Sequence, residues 1–200
     1  MLSRWLRNWA SEAMRPLIGL LMRAHVSANH LTIAGLVLAF AAGIYIASGA
    51  LAIAAVLLAA SGVLDALDGE LARASGSAGP LGGFVDSIAD HYGDFAVYLG
   101  ILGYAQHSGT ETLDALVLVA MFGSLVGSHI RSRAGMLGLD TKDVGLFTRA
   151  ERILVLVIGL ASAMLVPAMA VLAVANNLSA FQRLGYVAFT SAQPRRSHGR

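Results

Sequence analysis

The chain contains no cysteine. That absence excludes disulfides, thiolate metal sites and cysteine nucleophiles, and it leaves the compartment open. Charge is nearly as scarce, at 13% of 200 residues against 56% hydrophobic, with a mean hydropathy of +0.69. Soluble domains carry about 25% charged residues, so this composition belongs to the membrane class. A second compositional block, an internal repeat and a cleavable signal pattern are also missing: Arg4, Arg7, Arg15 and Arg23 are spread over residues that also hold Trp5 and Trp9, with no short apolar core behind them. The basic pI of 9.3 does not imply nucleic acid, because the basic residues sit at the ends of apolar runs.

Lysine and arginine are absent from three places in particular, the turns at 48–50, 106–111 and 166–168. Six apolar runs are separated by those turns and by polar stretches: Leu31–Ser48, Leu51–Arg73, Leu81–Ala105, Thr112–Arg133, Ala150–Val166 and Ala168–Ala188, the last two meeting at Pro167. Each is near the roughly 20 residues that a bilayer requires. The expected fold is an all-α membrane protein with six transmembrane helices. All 14 Lys and Arg lie in the N-terminal segment, the 73–81 and 131–150 loops, the C-terminal segment or the helix ends beside them. The positive-inside rule then puts both termini at the cytoplasmic face of the cell membrane. Residues 1–24, with Leu2, Leu6, Trp5 and Trp9 at helical spacing among arginines, predict an amphipathic helix lying in the membrane interface, with a solvated arm as the plain alternative. Residues 1–190 form one domain, with the interfacial helix over 1–24 and the spans over 31–188, and 191–200 read as a disordered tail.

Against this apolar background stand Asp65, Asp68, Asp86 and Asp90, with Gly76, Gly79 and Pro80 between the pairs. Ionisable residues inside a membrane mark functional sites by default. The first pair is three apart and the second four apart, so on helices each pair shares a face. Counted from Ala78, Asp68 and Asp86 lie ten and eight residues away, and Asp65 and Asp90 thirteen and twelve. Two antiparallel helices would bring the pairs together at matched depth. Four crowded carboxylates stay ionised only if cations or protons offset them, and an oxygen-only donor set favours hard ions such as Mg²⁺ or Mn²⁺. Gly69 and Ala72 follow Asp65 by four and seven and leave room on the same face.

The spacing D-x2-D-G-x2-A-R-x8-G-x3-D-x3-D, held here by Asp65, Asp68, Gly69, Ala72, Arg73, Gly82, Asp86 and Asp90, resembles the signature of the CDP-alcohol phosphotransferases at every fixed position. The resemblance implies that a CDP-activated lipid, CDP-diacylglycerol, is attacked by an alcohol hydroxyl and that CMP leaves. It further implies two divalent ions (Mg²⁺ or Mn²⁺) held by Asp65, Asp68, Asp86 and Asp90, with Asp90 also the general base. Gly69, Ala72, Arg73 and Gly82 would contact the CDP moiety. Asn29 and Thr32 resemble a nucleotide-side N-x-x-T element, although Asn29 reads equally well as a helix N-cap. The family also implies a homodimer, and the positive-inside rule puts the aspartate site, like both termini, at the cytoplasmic face. Asp94 reads either as an outer-shell group or as a hydrogen-bonded buried acid, and His30, His91 and His129 as polar contacts.

Guanidiniums gather near the ends of the later runs, in Ser128–Ala134, Arg149–Arg152 and Gln182–Arg183. Arginine forks match phosphate, so a phosphorylated acceptor is favoured. The arrangement most resembles the bacterial phosphatidylinositol-phosphate synthases. Carried over, Arg131, Arg152 and Arg183 would hold the phosphate of inositol phosphate, with Arg133 and Arg149 nearby. This chain departs by His129 for Tyr, Arg131 for Lys, Ala150 for Pro and a loop one residue longer. Glycerol 3-phosphate is the rival acceptor within the same chemistry. A cation transporter is the rival of another class, but it predicts acids near the bilayer midplane rather than crowded at one edge.

Overall fold

The structure is a computed structural model, in which residues 14–141, 144–145 and 147–192 are described. Those residues form seven helices and no strand: α1 over 14–23, α2 Ala28–Ala47, α3 Leu51–Ala74, α4 Pro80–Ser108, α5 Glu111–Met136, α6 Arg149–Ala161 and α7 Leu165–Ala192. The helices fall into two units, Met1–Gly100 and Ile101–Arg200. Residues 1–13 of the expected interfacial helix and 193–200 of the expected tail lie outside the described residues, whereas residues 191 and 192 continue α7.

In the first unit α2 and α3 form an antiparallel hairpin. Ser27 caps α2 through a reciprocal capping box with His30, satisfying donors at the helix start that would otherwise lack partners. The cap is therefore Ser27 and not Asn29, which sits exposed in the first turn. Farther along, Ser61 Oγ donates to the Gly35 carbonyl at 2.8 Å. Ile18 of α1, Leu31 of α2 and Leu67 and Leu71 of α3 make a buried cluster, with Met14, Leu21, Val26 and Leu64 against it. Residues 14, 18 and 21 thus form the inward stripe of α1, while Leu17, Leu20 and Met22 are exposed. Where α2 meets α4, Gly43 and Gly100 touch backbone to backbone, and a Cβ at either would collide with the other helix. Small residues give close approach of this kind where water supplies no driving force.

In the second unit the main contact is between α5 and α7. Asn176 Nδ2 donates to the Ala120 carbonyl at 3.0 Å, and Asn177 Nδ2 to those of Val119 at 3.0 Å and Ala173 at 2.8 Å. Gly123 makes room for Asn177, and Gly127 for Arg183. Asn176 and Asn177 are a polar pair in an apolar run, a sequence sign of interhelical glue. Gly159 of α6 accommodates Ala168 of α7.

Four helices, α2, α3, α5 and α7 as far as Ser191, are long and apolar enough to cross a membrane. The six-span expectation meets two exceptions. The 29 residues of α4 carry Asp86, Asp90 and Asp94. The 13 residues of α6 rise only about 20 Å at 1.5 Å each, against a hydrocarbon layer of about 30 Å. Two turns also fall elsewhere than expected. Gln106 and His107 belong to α4, where Gln106 Nε2 donates to Asp114 Oδ2 at 3.0 Å. The α6–α7 break lies at 162–164 and not at Pro167, which sits in the first turn of α7, where a missing N–H costs nothing.

The turns share one device. After α2, α3 and α5, Gly49, Gly76 and Gly138 take positive φ and close 6→1 and 5→2 hydrogen bonds, the Schellman stop. After α6 the same bonds form around Ala163 at φ 55°, with Met164 N bonded to the Gly159 carbonyl and Ala163 N to that of Leu160. A Cβ in that conformation costs about 1 kcal/mol. Ala163→Gly is expected to stabilise the chain by roughly that amount, read as a rise in melting temperature of the detergent-solubilised protein; an unchanged or lowered midpoint would contradict the strain.

Candidate metal centre

The centre is built where α3 ends and α4 begins. Arg73 lies in the last turn of α3, where a cation complements the exposed carbonyls. Ser75 Oγ closes this end by donating to the Leu71 carbonyl at 2.7 Å, and Gly76 at φ 68° reverses the chain. Pro80 then opens α4, a position that suits its fixed φ.

This reversal sets Asp86 of α4 beside Asp65 and Asp68 of α3. One oxygen from each lies within 4.8 Å of the other two. Asp68 is buried at 5% exposure, and Asp65 and Asp86 are half-buried. Three carboxylates at this separation repel by roughly 3 kcal/mol per pair at an effective dielectric near 20. The trio is therefore a preformed demand for positive charge. The donors are all carboxylate oxygens at metal-bridging separation, and they fit a hard divalent cation. Asp90, half-buried one turn along α4, is not in the trio, nor is Asp94 a further turn on.

Thr32 of α2 supports Asp68 from behind. Its Oγ1 lies 2.6 Å from Asp68 Oδ2 and 3.2 Å from the Ala28 carbonyl. A hydroxyl has one proton, and the shorter contact to an anionic acceptor is the stronger. Thr32 and Asp68 are both buried, so the bond is shielded from water and fixes one carboxylate oxygen. Arg73 folds back over Gly69, with Nη1 3.5 Å from where a Cβ would stand, and pairs with Glu70 at 2.8 Å. Nothing of the protein lies within 4 Å of a Cβ built on Gly82, so packing does not require a glycine there. Ala72 is half-buried beside them. Of the histidines, His30 is engaged in the α2 cap, His91 Nδ1 lies 2.5 Å from the Ser87 carbonyl, and His129 is exposed.

In the second unit, Arg183 is buried at 8% exposure. Nε donates to the Val144 carbonyl at 2.9 Å and Nη1 to that of Gly127 at 3.3 Å. Both acceptors are neutral. Arg131 and Arg152 are close enough to act on Arg183 electrostatically, so three of the five expected arginines gather. Arg133 instead reaches Met136 Sδ at 3.8 Å, and Arg149, half-buried, is the first residue of α6. Thr148 and Glu151 form a capping box there, which the T-x-x-E spacing around Arg149 could have revealed.

A family model described as CDP-alcohol phosphatidyltransferase matches residues 25–181. The chain is 34% identical over 157 residues to the phosphatidylinositol phosphate synthase of Cutibacterium acnes, covering 78% of this chain and 75% of that one. It is 37% identical over 171 residues to the archaetidylinositol phosphate synthase of Methanothermobacter thermautotrophicus, covering 82% and 85%. Among solved structures, the Mycobacterium tuberculosis phosphatidylinositol phosphate synthase with CDP-DAG bound matches with a TM-score of 0.78 at 29% identity, over 86% of this chain and 92% of that one. The same enzyme in complex with manganese and citrate matches with a TM-score of 0.77 at 26% identity, over 92% and 91%.

Thr32 has a role that a metal titration can measure. Removing a group that orients a ligand carboxylate typically costs 10–100-fold in metal affinity. Thr32→Val is expected to weaken Mn²⁺ binding to the substrate-free protein at least about tenfold, and Thr32→Ser to restore it, by calorimetric titration. Equal affinities in all three proteins would mean that the Thr32–Asp68 bond leaves the centre unaffected.

Proposed function

This chain belongs to the CDP-alcohol phosphatidyltransferase family, and from that premise we propose that it transfers the phosphatidyl group of CDP-diacylglycerol to a hydroxyl of inositol phosphate in phospholipid biosynthesis. The observation that carries the reading is the Asp65, Asp68 and Asp86 trio, held within an unbroken family signature. Both relatives described above make inositol phosphate lipids. They differ in the lipid, phosphatidyl in one and archaetidyl in the other.

Asp65, Asp68, Asp86 and Asp90 would hold two divalent ions, Mg²⁺ or Mn²⁺, which when bound neutralise the pyrophosphate and stabilise the entering and leaving oxygens. The complex of the mycobacterial neighbour with manganese supports a divalent ion as such. Asp90 would accept the proton of the acceptor hydroxyl. The new bond joins that oxygen to the lipid-linked phosphorus, the phosphoanhydride bond to the nucleotide breaks, and CMP departs with the electron pair. Gly69, Ala72, Arg73 and Gly82 would receive the CDP moiety, supported by the clear space at Gly82 and the groove in which Arg73 lies over Gly69. Arg73 would exchange Glu70 for phosphate, a change of small cost because an i,i+3 pair whose guanidinium is exposed contributes little. Asn29, exposed in the first turn of α2, and Thr32 would border the nucleotide.

A phosphorylated acceptor is supported by the charge balance at Arg183. A buried guanidinium with two arginines near it and only neutral acceptors is a place that an anion would stabilise. Arg131, Arg152 and Arg183 would take the phosphate, with Arg133 and Arg149 bordering it. Glycerol 3-phosphate carries the same group and remains the second reading.

The whole of 1–190 would act as one membrane domain, with α4 and the short α6 as the third and fifth of six spans and residues 1–24 in the interface. The carboxylates and both termini would face the cytoplasm across the plasma membrane, and the chain would work as a homodimer, the assembly that the family resemblance implies.

Purified protein given CDP-diacylglycerol and Mn²⁺ or Mg²⁺ is expected to release CMP with inositol phosphate and not with free inositol or serine. Release with glycerol 3-phosphate alone would move the assignment to the second reading, and release with free inositol would remove the phosphate requirement. Asp90→Asn is expected to lower kcat by about 10²–10⁴ with the helical circular dichroism unchanged; turnover near the wild-type rate would exclude Asp90 as the base.

A further inference from the structure

Arg183 makes contacts that a phosphate ligand does not need. Two of its five N–H groups are committed to backbone carbonyls, Val144 in the α5–α6 connection and Gly127 on α5. One turn earlier on the same face of α7, Ser179 Oγ accepts from Phe147 N at 3.1 Å. Ser179 is buried at 2% exposure, so this bond is sheltered as well. Between the two anchors lies Gly145, at φ 111°. A Cβ built there would stand 3.4 Å from Arg183 Nε and Nη2 and from Ser179 Cβ. The glycine lets the connection lie flat on both side chains and adopts a backbone angle that others rarely take. The connection also closes on itself, with Val144 N donating to the Thr141 carbonyl at 3.1 Å.

We propose that Arg183 and Ser179 are positioning residues that fasten the α5–α6 connection to α7 and thereby set where α6 begins. The anchors at Val144 and Phe147 precede Arg149, the first residue of α6, by five and two positions. Arg152 follows in the first turn. With both anchors made, Arg149 and Arg152 are held in place before the acceptor arrives, so their ordering is not charged against its binding. Arg183 keeps three N–H groups, including both on Nη2, for the acceptor itself. The inference rests on the reading in which these arginines take the acceptor phosphate and adds a second duty to one of them. Ser179 is the cleaner probe, because it has no part in that reading.

The test uses the full-length protein in detergent and reads each anchor at the amide of the other. Without substrate, Ser179→Ala is expected to raise hydrogen exchange at the Val144 amide, and Arg183→Lys at the Phe147 amide, each about fivefold, the equivalent of one lost hydrogen bond. A lysine keeps the charge but lacks the planar fork that reaches the two carbonyls from separate nitrogens. In turnover, Ser179→Ala is expected to raise the acceptor KM about fivefold, leaving kcat and the CDP-lipid KM at wild-type values. Wild-type exchange at both amides, or an unchanged acceptor KM in Ser179→Ala, would overturn the proposal and leave Arg183 as a direct ligand only. Faster exchange in an enzyme that accepts no phosphorylated alcohol would uphold the fastening while removing the acceptor assigned above.

Discussion

Repulsion among Asp65, Asp68 and Asp86 is the constraint on which the first unit depends. Three carboxylates within 4.8 Å, one of them buried, are unfavourable unless something positive joins them. The chain maintains the arrangement by stiff local means. A five-residue reversal between α3 and α4 leaves little freedom in how the two helices face each other. The α2–α3 hairpin is pinned by Ser61 on Gly35 and by Thr32 on Asp68, and Ile18, Leu31, Leu67 and Leu71 pack at the end of the hairpin nearest the acids. Folding energy elsewhere in the unit thus holds the acids in a geometry that a cation stabilises, as metal-linked folding requires.

Glycine stands in two different settings along the chain. At Gly43, Gly100 and Gly123 it brings helices together, and any side chain would strike the neighbouring helix. At Gly69 only the Arg73 side chain, and at Gly82 nothing of the protein, stands within 4 Å of an added Cβ, so neither glycine is required by helix packing.

The second unit follows a different logic. Its polar side chains act chiefly on backbone carbonyls: Asn176 and Asn177 on α5, and Arg183 on α5 and the connection that follows. In an apolar medium a carbonyl freed at a helix edge or in a loop has no water to turn to, so a side chain that satisfies it also fixes the geometry. Arg183 combines that task with a charge that no acid offsets among its hydrogen-bond partners.

Much of this was legible in the residues themselves. Helix content, the hairpin around Gly76 and the pairing of Asp65 and Asp68 with Asp86 follow from hydrophobic run length, turn chemistry and helical spacing, all of which are local. Errors arose where a local signal had two meanings. Pro167 reads as a break but also fits a first helical turn, and the stop was supplied by Ala163, a residue with no turn signature. Asn29 reads as a cap, yet Ser27 two residues earlier had the better geometry. Polar Gln106 and His107 read as a loop, although each finds a partner while remaining helical. By itself, then, the sequence determined the class of protein, the acidic hairpin and the chemistry its spacing can support, because those depend on periodicity and covalent proximity. Only the tertiary structure decided that Thr32 braces Asp68, that Asp90 stands outside the close trio, and that Arg183 binds the connection before α6. Such contacts join residues 36 to 56 positions apart, and which of them form depends on how whole helices pack rather than on any pattern within one of them.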